Sequence, residues 1–137
     1  MSSQTGRCHC GAITFDLGGP VTALVHCHCR NCRRANGGAF STVTPASTAA
    51  FRITSGVSHL REFPTSTGAR FFCDRCGGRL FSRPSVAPEY TNVLVGTLDE
   101  EPPGPGHVHV NVEHKAPWFE IADDLPQHAG MPGEGDA

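Results

Sequence analysis

The 137-residue sequence has few charges and almost no imbalance among them: Asp, Glu, Lys and Arg make up 18%, and 11 basic against 13 acidic residues leave a net charge of -2. Affinity for nucleic acid or an anionic bilayer rests on clustered positive charge, so this balance argues against a generic binder of either. No apolar stretch is long enough to cross a bilayer, and the segment Met1 to Cys10 has one Arg and no apolar h-region, so neither a membrane span nor a secretory leader is expected. Helical periodicity is also missing. No window repeats apolar residues at helical spacing for three turns, which limits any helix to one or two turns, placed around Asn31 to Asn36. The chain is read as cytoplasmic. In that reducing compartment its seven Cys, an odd number, point to metal or redox chemistry sooner than to a disulfide framework.

What the sequence does have is punctuation: 16 Gly and 11 Pro, with Ser and Asn, separate short alternating or apolar segments. That is a β pattern. Strands are expected at Ala12 to Leu17, Val21 to Cys29, Phe40 to Thr44, Ala50 to Thr54 and Ser58 to Phe63. Further strands are expected at Ala69 to Cys73, Arg79 to Ser82, Asn92 to Val95, His107 to Val112 and Trp118 to Ala122. In the first, Ile13, Phe15 and Leu17 share a face; in His107 to Val112 the valines alternate with His107, His109 and Asn111, which would then face water or a site. Residues 99–106, DEEPPGPG, read as a loop. One domain is expected over residues 1–127, followed by a frayed tail at 128–137.

The cysteines fall in groups of two, three and two: Cys8-His9-Cys10-Gly11, Cys27-His28-Cys29-Arg30-Asn31-Cys32, and Cys73-Asp74-Arg75-Cys76-Gly77. Zinc takes four ligands when structural and three protein ligands plus an open position when chemical. The two outer pairs supply the first set, and the middle group supplies the second. In an extended segment, side chains at i and i+2 lie about 6.8 Å apart on one side, so a modest bend brings both thiolates of a C-x-C to one metal. A C-x-x-C achieves the same by curling, with Gly11 and Gly77 providing permissive backbone after their pairs. The alternative is two closed sites, with His9, His26 or His28 as the eighth ligand.

Read in order, CxCG near the start, CHCRNCRR followed by GG, RFFCDRCGGRL, VGTLD, HVHV, and a closing PWFEI with DDLP span roughly Gly6 to Pro126. In these motifs the chain resembles the glutathione-dependent formaldehyde-activating enzymes, grouped with the centromere protein V domain. The resemblance implies a mainly β, Mss4-like fold, with sheets packed as a tent around a structural zinc. It implies two zinc ions per chain, the structural one held by Cys8, Cys10, Cys73 and Cys76 and the catalytic one by Cys27, Cys29 and Cys32. The activity it implies is that of a carbon–sulfur lyase joining glutathione to formaldehyde as S-(hydroxymethyl)glutathione, an aldehyde detoxification.

Elementary chemistry agrees with that reading. Zinc held by three thiolates is a soft, weak Lewis acid, better suited to holding another thiolate than to making hydroxide. The expected partners are therefore a small thiol and an aldehyde, with no nucleic acid and no membrane. Arg30, Arg33 and Arg34 crowd the middle cluster and are the candidates to hold the carboxylates of a glutathione-like ligand, with a solvated surface as the alternative. His28 or His26 could protonate the developing alkoxide, as could water. Trp118 and Phe119 are read as a core plug. The competing function is a non-catalytic zinc-ribbon module for protein interaction, which has no need of an incompletely ligated metal.

Overall fold

The computed structural model describes residues 3–103 and 106–131. The described strands are β1 (Ser3–Arg7), β2 (Thr14–Gly18), β3 (Val25–Cys27), β4 (Ser41–Ser47), β5 (Phe51–Ser55), β6 (Leu60–Thr65), β7 (Gly68–Cys73), β8 (Arg79–Pro84), β9 (Tyr90–Leu94) and β10 (Val108–Val110). One α-helix, α1 (Arg30–Asn36), follows β3. Among the described residues this is a mainly β architecture of two sheets with a single short α-helix. By contacts the chain divides into two compact units, Met1–Thr22 with Thr44–Pro102 and Ala23–Val43 with Pro103–Ala137.

In the first unit β2 runs antiparallel between β1 and β5, and β6, β7, β8 and β9 form an antiparallel ladder. The expected face of β2 is the buried one: Phe15 and Leu17 point inward, joined by Ile13 just before the strand. They meet Phe51, Leu80, Phe81, Val93 and Leu98, and the same core contains Cys8 and Cys73. Each large apolar side chain so buried stabilises the fold by about 1.5–3 kcal/mol. Phe51, Phe71 and Phe81 add ring contacts at 4.7 and 4.5 Å. β1 was not expected, because SQTGR shows no apolar alternation; that strand exists through its register on β2, from Ser3 opposite Gly18 to Arg7 opposite Thr14.

Gly56 turns the chain after β5 with φ of 80°, and a Cβ there would sit 1.9 Å from the Ala12 carbonyl oxygen. Gly56→Ala should therefore cost more than the roughly 1–2 kcal/mol of left-handed backbone alone, read as a lower urea midpoint at unchanged slope.

In the second unit β3 pairs in parallel with β10 and antiparallel with the first residues of β4. β3 is shorter than the expected Val21 to Cys29 because its ladders cover only Val25 to Cys27 on both edges. Of the His107, His109 and Asn111 face, His107 is exposed, His109 is buried within β10 and Asn111 is half-buried. Two expectations are corrected here. Trp118 to Ala122 is no strand, because Pro117 offers no N–H and Phe119 closes a turn by donating to the Ala116 carbonyl. The start of the tail is tied down, not frayed: the N–H groups of Asn111, Val112 and Glu113 donate to the carbonyls of Gly130, His128 and Ala129. Residues 132–137 of that expected tail lie outside the described residues, as do 104 and 105 of the expected loop.

Candidate metal and active site

The chain brings Cys8, Cys10, Cys73 and Cys76 together in the first unit and Cys27, Cys29 and Cys32 in the second, the sulfurs of each group lying within 4.8 Å of one another. Four sulfurs at about 2.3 Å from a common zinc would stand about 3.8 Å apart. Cys8 and Cys10 are 3.8 Å apart and Cys10 and Cys73 3.9 Å, so the outer pairs fit such an ion. Among the described residues no His joins either group, which removes the closed eighth-ligand arrangement.

Local backbone prepares the four-sulfur group for charge. The Ile13, Arg75 and Gly78 N–H groups donate to the sulfurs of Cys8, Cys73 and Cys76 at 3.3, 3.3 and 3.4 Å. A hydrogen bond from the Cys10 backbone, helped by that of Gly78, pulls the Cys76 thiol down to about 6 against its desolvation. Cys10 moves the other way, to about 11: the Ala12 amide pulls it down, but burial and the sulfurs of Cys76, Cys8 and Cys73 outweigh that pull. Such splitting is what crowded thiols do when they share protons that a divalent cation would replace.

The three-sulfur group is built on the junction of β3 and α1. Cys27 ends the strand, Cys29 caps the helix by accepting the Cys32 N–H at 3.3 Å, and Cys32 sits in the first turn. The sulfurs of Cys29 and Cys32, then burial, push the Cys27 thiol far up, so the group cannot carry three negative charges without a cation. Three sulfurs leave a four-coordinate ion one position short.

His28, between the ligands, is fully buried, and its Nε2 lies 2.8 Å from His109 Nδ1. His109 Nε2 in turn meets Asp123 Oδ2 at 2.9 Å, and that hydrogen bond holds the Asp123 carboxyl below its ordinary value. Burial, then electrostatic interaction with His109 and other neighbours, pushes His28 down to about 4. It is neutral near pH 7 and has no imidazolium proton to give, which counts against its expected role as acid. His26 Nδ1 is paired with the Thr42 hydroxyl at 2.8 Å.

Arg30, Arg33 and Arg34 of α1 line one open cleft of about 220 Å³ with Gly37, Gly38 and Trp118. Arg33 is oriented by donating from Nη1 to the His114 carbonyl at 3.1 Å. Trp118 is 68% exposed, so the core-plug expectation fails for it, and its ring is instead a wall of the cleft. The signal was present in the sequence as a lone Trp after Pro117, but nothing in the pattern told an exposed aromatic from a buried one.

Against known proteins, the sequence profile described as "Glutathione-dependent formaldehyde-activating enzyme" matches residues 3–114. The chain belongs to this family. A protein of Halomonas elongata with the provisional name glutathione-dependent formaldehyde-activating enzyme is 30% identical over 139 residues, covering 94% of this chain and 88% of its own. A crystal structure of a Rhodobacter sphaeroides protein, a structural genomics target, superposes with a TM-score of 0.61 at 26% identity, covering 72% of this chain and 91% of that one. The family match spans all seven Cys and the three cleft Arg, while Trp118 and Asp123 lie beyond it. No helix among the described residues is long and apolar enough to cross a membrane.

Proposed function

We propose that this family member is a zinc-dependent carbon–sulfur lyase that adds a glutathione-like thiol to formaldehyde or a related aldehyde. The observation that carries the reading is a three-sulfur cluster, one ligand short of closure, at the junction of β3 and the short helix that carries three cleft arginines. In this reading Cys8, Cys10, Cys73 and Cys76 hold a structural zinc, and Cys27, Cys29 and Cys32 a second, catalytic one. Zinc bound at the three-sulfur cluster would supply a position at which a substrate thiol is held as the thiolate near neutral pH.

The chain's own residues do the rest. Arg33, with Arg30 and Arg34 beside it, holds the ligand carboxylates, and the Trp118 face shields the peptide-like body of the ligand from water. The substrate sulfur adds to the carbonyl carbon, so that an S–C bond forms while the C=O π pair moves onto oxygen. The alkoxide then takes up one proton, replacing the one lost by the thiol, and nothing is oxidised.

Arg33→Ala should weaken glutathione binding by about 1.5–3 kcal/mol, the range for hydrogen bonds to charged groups, in a calorimetric titration. Unchanged affinity would return Arg33 to the solvated surface. The reaction is tested by exchange NMR on mixtures of glutathione and formaldehyde, with added protein expected to broaden the hydroxymethyl signal beyond the uncatalysed background. Exchange at the background rate at every protein concentration would favour the protein-interaction module.

A further inference from the structure

Among the described residues, one that is not Gly has a positive φ: Asn111, at φ 57° and ψ 36°, directly after β10. Left-handed backbone costs an ordinary side chain about 1–2 kcal/mol, and Asn tolerates it better than most. Here the conformation delivers a contact. The Asn111 Nδ2 donates to Cys27 Sγ at 3.3 Å, across 84 positions of sequence. The segment expected to fray holds the residue in place: the Asn111 N–H donates to the Gly130 carbonyl at 2.9 Å, the next N–H donates to the His128 carbonyl at 3.0 Å, and Met131 Sδ lies 3.7 Å from Nδ2.

The two sulfur groups differ in this respect. In the four-sulfur group the N–H donors to Cys8, Cys73 and Cys76 are backbone amides. In the three-sulfur group Cys29 receives a backbone N–H, and Cys27 receives, besides the Cys29 backbone, a side-chain amide from another element. An N–H directed at a thiolate withdraws charge from the sulfur and fixes its lone pairs, and a metal-bound thiolate so treated is a weaker nucleophile and a better-placed ligand. A substrate thiolate in the remaining position would be the more basic sulfur, and the aldehyde would react there.

We infer that Asn111 is a positioning residue of the reaction centre, whose amide N–H holds Cys27 as a spectator ligand and leaves the substrate sulfur as the nucleophile. The inference rests on the reading of Cys27, Cys29 and Cys32 as a metal-holding centre.

Cobalt(II) titration of the metal-free, full-length protein tests it, with sulfur-to-cobalt charge-transfer absorption as the readout. The bands lost in Cys29→Ser belong to the three-sulfur cluster. Asn111→Gly keeps the left-handed backbone and removes the donor, so its thermal melt should match that of the wild type. Its cobalt affinity at those bands should fall about 10–100-fold, with a shift in band position. Asn111→Asp, which keeps the size and places a carboxylate against the sulfur, should lose more affinity than Asn111→Gly and decides the matter if the Gly variant folds poorly. Wild-type affinity and band position in both variants would overturn the role of Asn111. If Cys29→Ser removes no band, it is the metal-centre reading that fails, and the inference falls with it.

Discussion

Cys76→Ser is expected to produce a chain that does not fold under conditions where the wild type does. Cys8 and Cys73 are buried within the first unit's core and Cys76 packs against it, with Cys10 exposed, so three of the four sulfurs are joined to that core. Binding of structural zinc by small domains contributes about 10–16 kcal/mol of apparent free energy, while whole domains are stable by only about 5–15 kcal/mol. Losing one of four ligands, and most of that contribution, leaves nothing to offset chain entropy. Two buried sulfurs would also be left beside each other without a cation. The check is amide NMR dispersion and far-UV circular dichroism of the purified variant; a dispersed spectrum with a cooperative melt near that of the wild type would show that this group is not structural.

Cys29→Ser should behave in the opposite way: folded, with one metal ion fewer per chain, and inactive. Cys29 is only half buried, and its backbone role is to cap α1. Ser is itself a favoured N-cap whose oxygen accepts the same N–H, so the change should cost no more than about 1 kcal/mol of stability. The metal site fares worse, because two sulfurs and a neutral hydroxyl do not hold zinc as three thiolates do. Elemental analysis should therefore fall from two zinc ions per chain to one while the melt stays nearly unchanged. A Cys29→Ser protein that unfolds as completely as Cys76→Ser would end the division of labour between the two groups.

Much of this was legible in the sequence because it depends on local pattern. The face Ile13, Phe15 and Leu17 follows from period two, and the proximity of Cys27, Cys29 and Cys32 follows from spacing within six residues. The meeting of Cys8 and Cys10 with Cys73 and Cys76 crosses more than sixty positions, and coordination arithmetic suggested it only because two pairs were left over. What stayed hidden is set by pairing and not by pattern. β1 has no apolar signal and forms only on β2, and the alternation that sets His109 opposite the valines of β10 does not tell that it lies buried against His28. The polar tail residues 127–130 carry no periodicity, yet their carbonyls and amides complete the edge around Asn111. Apolar character alone does not place Trp118, because a rigid aromatic beside three arginines serves a binding cleft as well as an aromatic serves a core.

The central claim is that the three-sulfur cluster activates a thiol for addition to an aldehyde, and two-dimensional exchange NMR of the hydroxymethyl adduct tests it most directly. The measurement compares wild type with Cys29→Ser at equal, folded concentrations, with glutathione and several simpler thiols, each against its protein-free rate. Wild type should accelerate exchange for at least one thiol, most for one bearing carboxylates that the cleft arginines can hold, and Cys29→Ser should return every rate to background. Acceleration that survives in Cys29→Ser, or none by wild type with any thiol and aldehyde, would contradict the account.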